Sequence, residues 1–273
     1  MLLTKEKLTL NDFQFNQIDL DNMHIYSIGY NLGDLIMMPA FYLNDRVLKH
    51  WQRVFHEQNE GMKTCEIRKH VINLYPNSVL KFYYDHKDSD INNITSPPTK
   101  DSILNAINTY SNHVNLNKFD ELINLIKQKD VLSVHLRCGD TSLETEYDSA
   151  FTTFIKQIVD ENEFKMVIFF TGLIPGYSKT MGLENVRLAG YQHSLQMLNA
   201  VPNSFLMLDG NVDDHLCIFQ NASNLALHRG GISQILSIIC PNKIYLNAKT
   251  GWWGDKMTEK WKKYIDPNKL TVK

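Results

Sequence analysis

Short, continuously apolar runs recur along the second half of the chain, each closed by polar residues or glycine. Residues 131–136, 166–171, 205–208, 225–227 and 243–246 are such runs, and segments of helical periodicity at 150–161, 194–200, 213–222 and 232–240 lie between them. Strands this short and apolar suit a parallel sheet covered on both faces. Their alternation with helices is the pattern of a β-α-β architecture. A last helix is expected at 256–264. Earlier in the chain, residues 24–28 read as a first buried strand, with a glycine-rich loop and a long helix after it. Residues 71–74 and 79–84 read as further strands, 85–100 as a polar linker ending in Pro97-Pro98, and 100–113 and 118–128 as helices. With 273 residues available, the expected fold is α/β, made of two Rossmann-like halves, 1–127 and 128–273. In such sheets a ligand sits beyond the carboxyl ends of the strands, so the residues closing each run carry the functional information.

Composition narrows the partners. Hydrophobic residues make up 43% of the chain and charged residues 21%, enough apolar side chain to offset the ordering entropy of folding. The formal net charge of -2, from 28 basic and 30 acidic residues, gives no general attraction to nucleic acid or to an anionic membrane. No run approaches the roughly 20 apolar residues of a membrane-spanning helix. The N-terminal MLLTKEKLTLNDF is too polar for a secretory signal core. Cys65, Cys138, Cys217 and Cys240 show neither a CxxC pair nor metal-ligand spacing, which reads as reduced thiols in a cytoplasmic protein. The sequons at Asn93 and Asn221 read as chance in an asparagine-rich chain. The oligomeric state is left open.

Three strand-to-turn segments carry candidate chemistry. In Ser133-Val134-His135-Leu136-Arg137-Cys138-Gly139-Asp140, His135 and Arg137 are two apart and share one face of a strand. Arg137 has a fork of donors suited to phosphate or carboxylate. Gly139 permits a tight turn or close approach to a ligand. Asp140 either fixes Arg137 or accepts from a sugar hydroxyl. In His228-Arg229-Gly230-Gly231-Ile232-Ser233, a small-residue turn leads from a strand into a helix, whose free N–H groups and positive end favour an anion. Ser233 either caps that helix or bonds a phosphate oxygen, and His228 and Arg229 stand at the strand end where a ligand would lie. In Gly29-Tyr30-Asn31-Leu32-Gly33-Asp34, the glycines are four apart, unlike a dinucleotide fingerprint, and the Lys-Ser/Thr of a P-loop is missing. Asp34 is either a helix cap or a general base. Thr171, Gly172 and Asp209 close two further strands on the same edge. Asp213-Asp214 reads as an acidic helix start, so no metal ligands are assigned.

The His135-Leu136-Arg137-Cys138-Gly139-Asp140 segment resembles the His-x-Arg-Arg-Gly-Asp motif of the alpha-1,2, alpha-1,6 and protein-O-fucosyltransferase superfamily. Cys138 stands where that family has its second arginine. The 225–233 turn is similar to the last donor-binding motif of those enzymes and of other two-domain, GT-B type glycosyltransferases, and the loop before Asp34 resembles that of heptosyltransferases. The resemblance implies a GT-B arrangement, with residues 1–127 as the acceptor side and 128–273 as the nucleotide-sugar domain. It implies transfer of a sugar, first of all fucose from GDP-fucose, to an acceptor hydroxyl, inverting and without a metal. Arg137 would stabilise the departing diphosphate. Asp34 or Asp140 would take the acceptor's proton. His135, Gly139, Thr171, Gly172, Asp209, His228, Arg229, Gly230, Gly231 and Ser233 would line the donor site. Two alternatives stand beside this reading: another sugar donor, as in a heptosyltransferase, and a nucleotide-sugar-binding module without turnover.

Overall fold

The computed structural model describes residues 2–21, 69, 72–85, 99–138, 145–173, 182–208, 210–228, 230–247 and 265–273. Among the described residues, seven strands form one sheet: β1 (Leu2–Leu3), β2 (Val131–His135), β3 (Met166–Phe170), β4 (Ser204–Met207), β5 (Asn224–Leu227), β6 (Lys243–Leu246) and β7 (Leu270–Val272), in the order β1-β4-β3-β2-β5-β6-β7. All neighbours are parallel except β1, which pairs antiparallel with β4 at one edge. Without β1, the order is that of a Rossmann-like sheet, in which the chain starts in the middle, winds to one edge, and returns to wind to the other. The reversal falls between β2 and β5, which pair through Ser133–Leu225, Val134–Ala226 and His135–Leu227.

Eight α-helices are formed by the described residues: α1 (Gln17–Asp21), α2 (Val79–Asp85), α3 (Lys100–His113), α4 (Asp120–Ile126), α5 (Thr145–Asn162), α6 (Leu183–Ala200), α7 (Val212–Phe219) and α8 (Gly231–Ile239). Alternation along β2 divides the core. Leu132, Val134, Leu136 and Cys138 pack with Phe151, Phe154 and Ile155 of α5 and with Met197 and Leu198 of α6. Val131, Ile168 and Phe170 face the other way, onto α7 and α8. On that side α3 packs against α7 and α8 as an outer layer. Between sheet and outer layer, all nine residues of α8 are buried. This explains a helix that is apolar nearly all round.

The parallel α/β sheet and its main strands agree with the periodicity of the sequence. Residues 79–84 do not form a strand. They belong to α2, with buried Val79, Leu80, Tyr83 and Tyr84 at helical spacing. The Ser78 hydroxyl accepts from the Lys81 N–H at 3.2 Å, and the Ser78 carbonyl accepts from the Phe82 N–H at 3.1 Å. Lys81 and Asp85 pair one turn apart. A helix start at Ser78 satisfies these groups locally, which overrides the aromatic, strand-like composition of the segment. Residues 72–74 are helical as well. Helix α6 begins eleven residues before the expected 194. The two short edge strands β1 and β7 had no signal long enough to read. Helices α2, α3 and α4 come from the N-terminal side of residue 127, yet they share one core with β2, β3, β5 and β6. The expected first strand at 24–28, its loop, and the helix at 256–264 lie outside the described residues.

Candidate functional site

Strand β2 ends at His135, beside the end of β5. The pairing continues one step further, with the His228 N–H donating to the His135 carbonyl at 3.2 Å. That step brings together two segments almost a hundred residues apart in sequence. Their meeting point is the carboxyl edge of the sheet at its reversal, the place where open α/β sheets bind their ligands.

Arg137 is held at two points by the turn after β5. Its backbone N–H donates to Nδ1 of His228 at 3.2 Å. Its side chain lies against the backbone of Gly230. A Cβ on Gly230 would stand 2.5 Å from Nη1, 3.4 Å from Cδ and 3.5 Å from Cζ of Arg137. Gly230 has φ 101° and ψ 171° and is the N-cap of α8, a backbone conformation confined almost entirely to glycine. As a glycine, the N-cap has no side chain with which to cap α8, and no acidic residue stands in the helix's first turn. Its first N–H groups have no intrahelical acceptor. The guanidinium is therefore placed at the positive end of a helix, opposite to the placement that the dipole favours for a cation.

Both histidines of the site are tied down. His135 Nδ1 is 2.7 Å from the Ser233 hydroxyl, so that hydroxyl is engaged by β2 and does not cap α8. Burial, reinforced by the nearby His215 and Arg137, pushes the His135 pKa down to about 3, and the ring is neutral at physiological pH. His215, in α7, is likewise lowered to about 4 by burial, against the opposing influence of Asp214. Phe219 meets both rings edge-on. His228 is fully buried. It stacks on Phe151 with ring centroids 4.2 Å apart and on His193 at 5.9 Å. Its side chain thus lies on the α5–α6 side of the sheet, away from Arg137's guanidinium. Because His228 Nδ1 accepts a hydrogen bond from the Arg137 amide, a neutral ring carries its own proton on Nε2.

Cys138, at the family's second arginine position, is 1% exposed. Its sulfur is 3.4 Å from the Ser194 hydroxyl of α6. In this chain that position faces the core, and the side chain following Arg137 points to the opposite face of the sheet. Thr171 is buried just after the end of β3, its N–H donating to the Met207 carbonyl at 3.2 Å, and its hydroxyl has no hydrogen-bond partner among the described residues. Beside Gly172, an added Cβ would meet nothing within 4 Å, so this glycine opens onto free space. Gly231 is the first residue of α8. Asp34, Gly139, Asp140, Asp209 and Arg229 lie outside the described residues.

Asp213 and Asp214 have structural partners. Asp213 accepts from the Val79 N–H at 2.9 Å, at the start of α2, and burial raises its pKa to about 7. Asp214 accepts from the Tyr110 hydroxyl at 2.8 Å and closes a capping box with Asn211. Among the described residues, no group of three or more His, Cys, Asp or Glu side chains is placed to hold a metal ion. No described helix is long and apolar enough to cross a membrane.

Sequence reasoning missed Phe151, His193 and His215. The helical spacing of His193 and Met197, both buried on α6, was the one available signal for His193. That its ring meets His228 is decided only by the packing of α6 on the sheet.

Fold and site define an α/β protein whose parallel strands follow the order of a Rossmann-like sheet. In it the side chain of Arg137 lies against Gly230, the N-cap of α8, at the carboxyl edge of the sheet. No family model matches the chain, and no curated protein or solved structure matches it.

Proposed function

We propose that the chain is a glycosyltransferase that holds the diphosphate of a nucleotide sugar between Arg137 and the first turn of α8. The observation that carries this reading is the position of Arg137 over Gly230. A guanidinium and the positive end of a helix each attract an anion, so a diphosphate placed between them is met from both sides. In the proposed reaction an acceptor hydroxyl attacks the anomeric carbon of the donor, and the bond from that carbon to the diphosphate oxygen breaks. The growing negative charge is met by donors already in place, which need no reorganisation as the transition state forms. Charge on the leaving group is neutralised by Arg137 and the α8 amides without recourse to a metal. Asp34 or Asp140 takes the proton of the acceptor. His135 and His228 act through other groups: His135 ties α8 to β2, and His228 holds the main chain of Arg137.

The resemblance of the 135–140 segment makes GDP-fucose the first donor and inversion the expected stereochemistry. A GT-B arrangement, with the acceptor on the N-terminal side, belongs to the same reading. The test is donor hydrolysis and transfer over a panel of nucleotide sugars, GDP-fucose first, with and without chelator. Slow release of sugar from one donor, unchanged by chelator, is the expected result. Tight donor binding with no turnover over many acceptors would make the chain a binding module. Failure to bind any nucleotide sugar would reject the proposal.

A further inference from the structure

Resting on the diphosphate-site reading above, we infer that His228 is a positioning residue: its imidazole, gripped in a buried stack of rings, fixes the backbone of Arg137 and so aims the guanidinium over the start of α8. Three observations support it. His228 is 0% exposed, so it acts from within the core. Its Nδ1 accepts the Arg137 N–H at 3.2 Å, just beyond β2, where regular ladder pairing has ended. Its ring is held by Phe151 of α5 and His193 of α6, which removes its freedom to turn.

The consequence lies in leverage. Residues 228 and 230 belong to one turn, so a single loop fixes Arg137 twice: the main chain through the imidazole and the side chain through the glycine Cα. If the first hold is lost, the guanidinium swings on a freed backbone, and its fork no longer matches the phosphate oxygens. Protonation of Nδ1 would break the same bond, so His228 performs this role only as the neutral ring. An asparagine side-chain oxygen can reach roughly the place of Nδ1, and phenylalanine keeps the stack while removing the acceptor.

The experiment titrates inorganic pyrophosphate into the full chain by calorimetry and follows amide hydrogen exchange at Arg137. The proteins are the wild type, His228→Phe, His228→Asn, Arg137→Ala and the His228→Phe/Arg137→Ala double variant. His228→Phe is expected to bind pyrophosphate about tenfold more weakly, the equivalent of one buried hydrogen bond, and to exchange faster at Arg137. His228→Asn should recover most of both. In the Arg137→Ala background, His228→Phe should have no further effect on binding, because the two act as a unit. If phenylalanine overfills the site and the variant does not fold, His228→Leu removes the acceptor with less bulk and takes its place. Additive losses, or equal binding by wild type and His228→Phe, would overturn the positioning role and leave the diphosphate site standing. Unchanged exchange at Arg137 in His228→Phe would overturn it as well. Absence of pyrophosphate binding by the wild type would reject the diphosphate site itself, and with it any role for His228 in aiming Arg137.

Discussion

The guanidinium of Arg137 lies directly over the Cα of Gly230, so closely that a methyl group there would stand 2.5 Å from Nη1. The relationship joins a strand end at the middle of the sheet to the start of a helix whose nine residues are all buried. It also explains why residue 230 has no side chain, since both the contact and the positive φ exclude one.

Gly230→Ala should therefore be doubly damaging. Backbone strain of about 1–3 kcal/mol adds to the displacement of Arg137. Chemical denaturation is expected to show the stability loss and calorimetry the loss of pyrophosphate affinity. Combining it with Arg137→Ala should restore part of the stability, because the steric conflict disappears while the strain remains. If the double variant is no more stable than Gly230→Ala alone, the contact has no energetic weight.

Arg137→Ala should separate function from stability. If the guanidinium meets the leaving diphosphate, its loss costs about 3 kcal/mol of transition-state stabilisation, more than a hundredfold in rate. Arg137→Lys should recover only part, because a point charge does not replace a bidentate fork. The folded protein should be largely kept, since Arg137 stands beyond the end of β2 and is only partly buried. Melting temperature and donor affinity measured on the same sample decide the matter. A large fall in melting temperature with unchanged affinity would make Arg137 a structural residue.

Cys138→Arg should not improve donor binding, although it restores the family pattern. The side chain points into the core beside Ser194 and Gly190. A buried guanidinium without a partner there costs several times the roughly 1 kcal/mol of an ordinary substitution. Expected outcomes are poor expression or a melting temperature lower by many degrees. Tighter GDP-sugar binding by a stable variant would show that position 138 faces the ligand.

Asp213→Asn should raise stability above pH 7 and change it little near pH 4. Burial holds the Asp213 carboxyl near a pKa of about 7, above its ordinary value, so the folded state binds this proton more tightly than the unfolded chain. Its favourable contribution is complete below the ordinary carboxylate pKa and is lost as pH rises through about 7. Asparagine keeps an acceptor for the Val79 N–H and removes the charge. Urea unfolding across a pH series should show the two proteins diverging with rising pH, and parallel curves would refute the assignment. His135 and His215 act in the opposite sense. Their pKa values are lowered to about 3 and about 4, so their contribution is present above the ordinary histidine pKa and is lost as pH falls through those values.

The sequence by itself determined the central strands of the sheet and marked the edge at which the candidate site lies. Largely apolar runs of three to six residues at 131, 166, 205, 225 and 243 suit burial on both faces, and the helical segments between them suit parallel connections. Chemical type was equally legible at the strand ends, because His135, Arg137, Gly230 and Ser233 are costly or uninformative choices for a core and useful ones at a crevice. Alternation also placed His135 and Arg137 on one face. It placed Cys138 on the other, although that became visible only when the core was seen.

Tertiary structure decided the rest, for reasons of distance and context. Whether residues 79–84 extend or coil was settled by Ser78 and by the carboxylate of Asp213, 134 positions away from Val79, which receives the first turn of α2. The strand order decided that β2 and β5 are neighbours, and hence that Arg137 meets Gly230, since local periodicity carries no information about which strands adjoin. Both roles of histidine followed from packing as well. His228 and His135 look alike in sequence as strand-end imidazoles. One is stacked in the core behind Arg137 and the other bonded to Ser233 on the α8 side, because successive side chains at a strand end leave on opposite faces, and only the neighbours on each face determine what an imidazole can do.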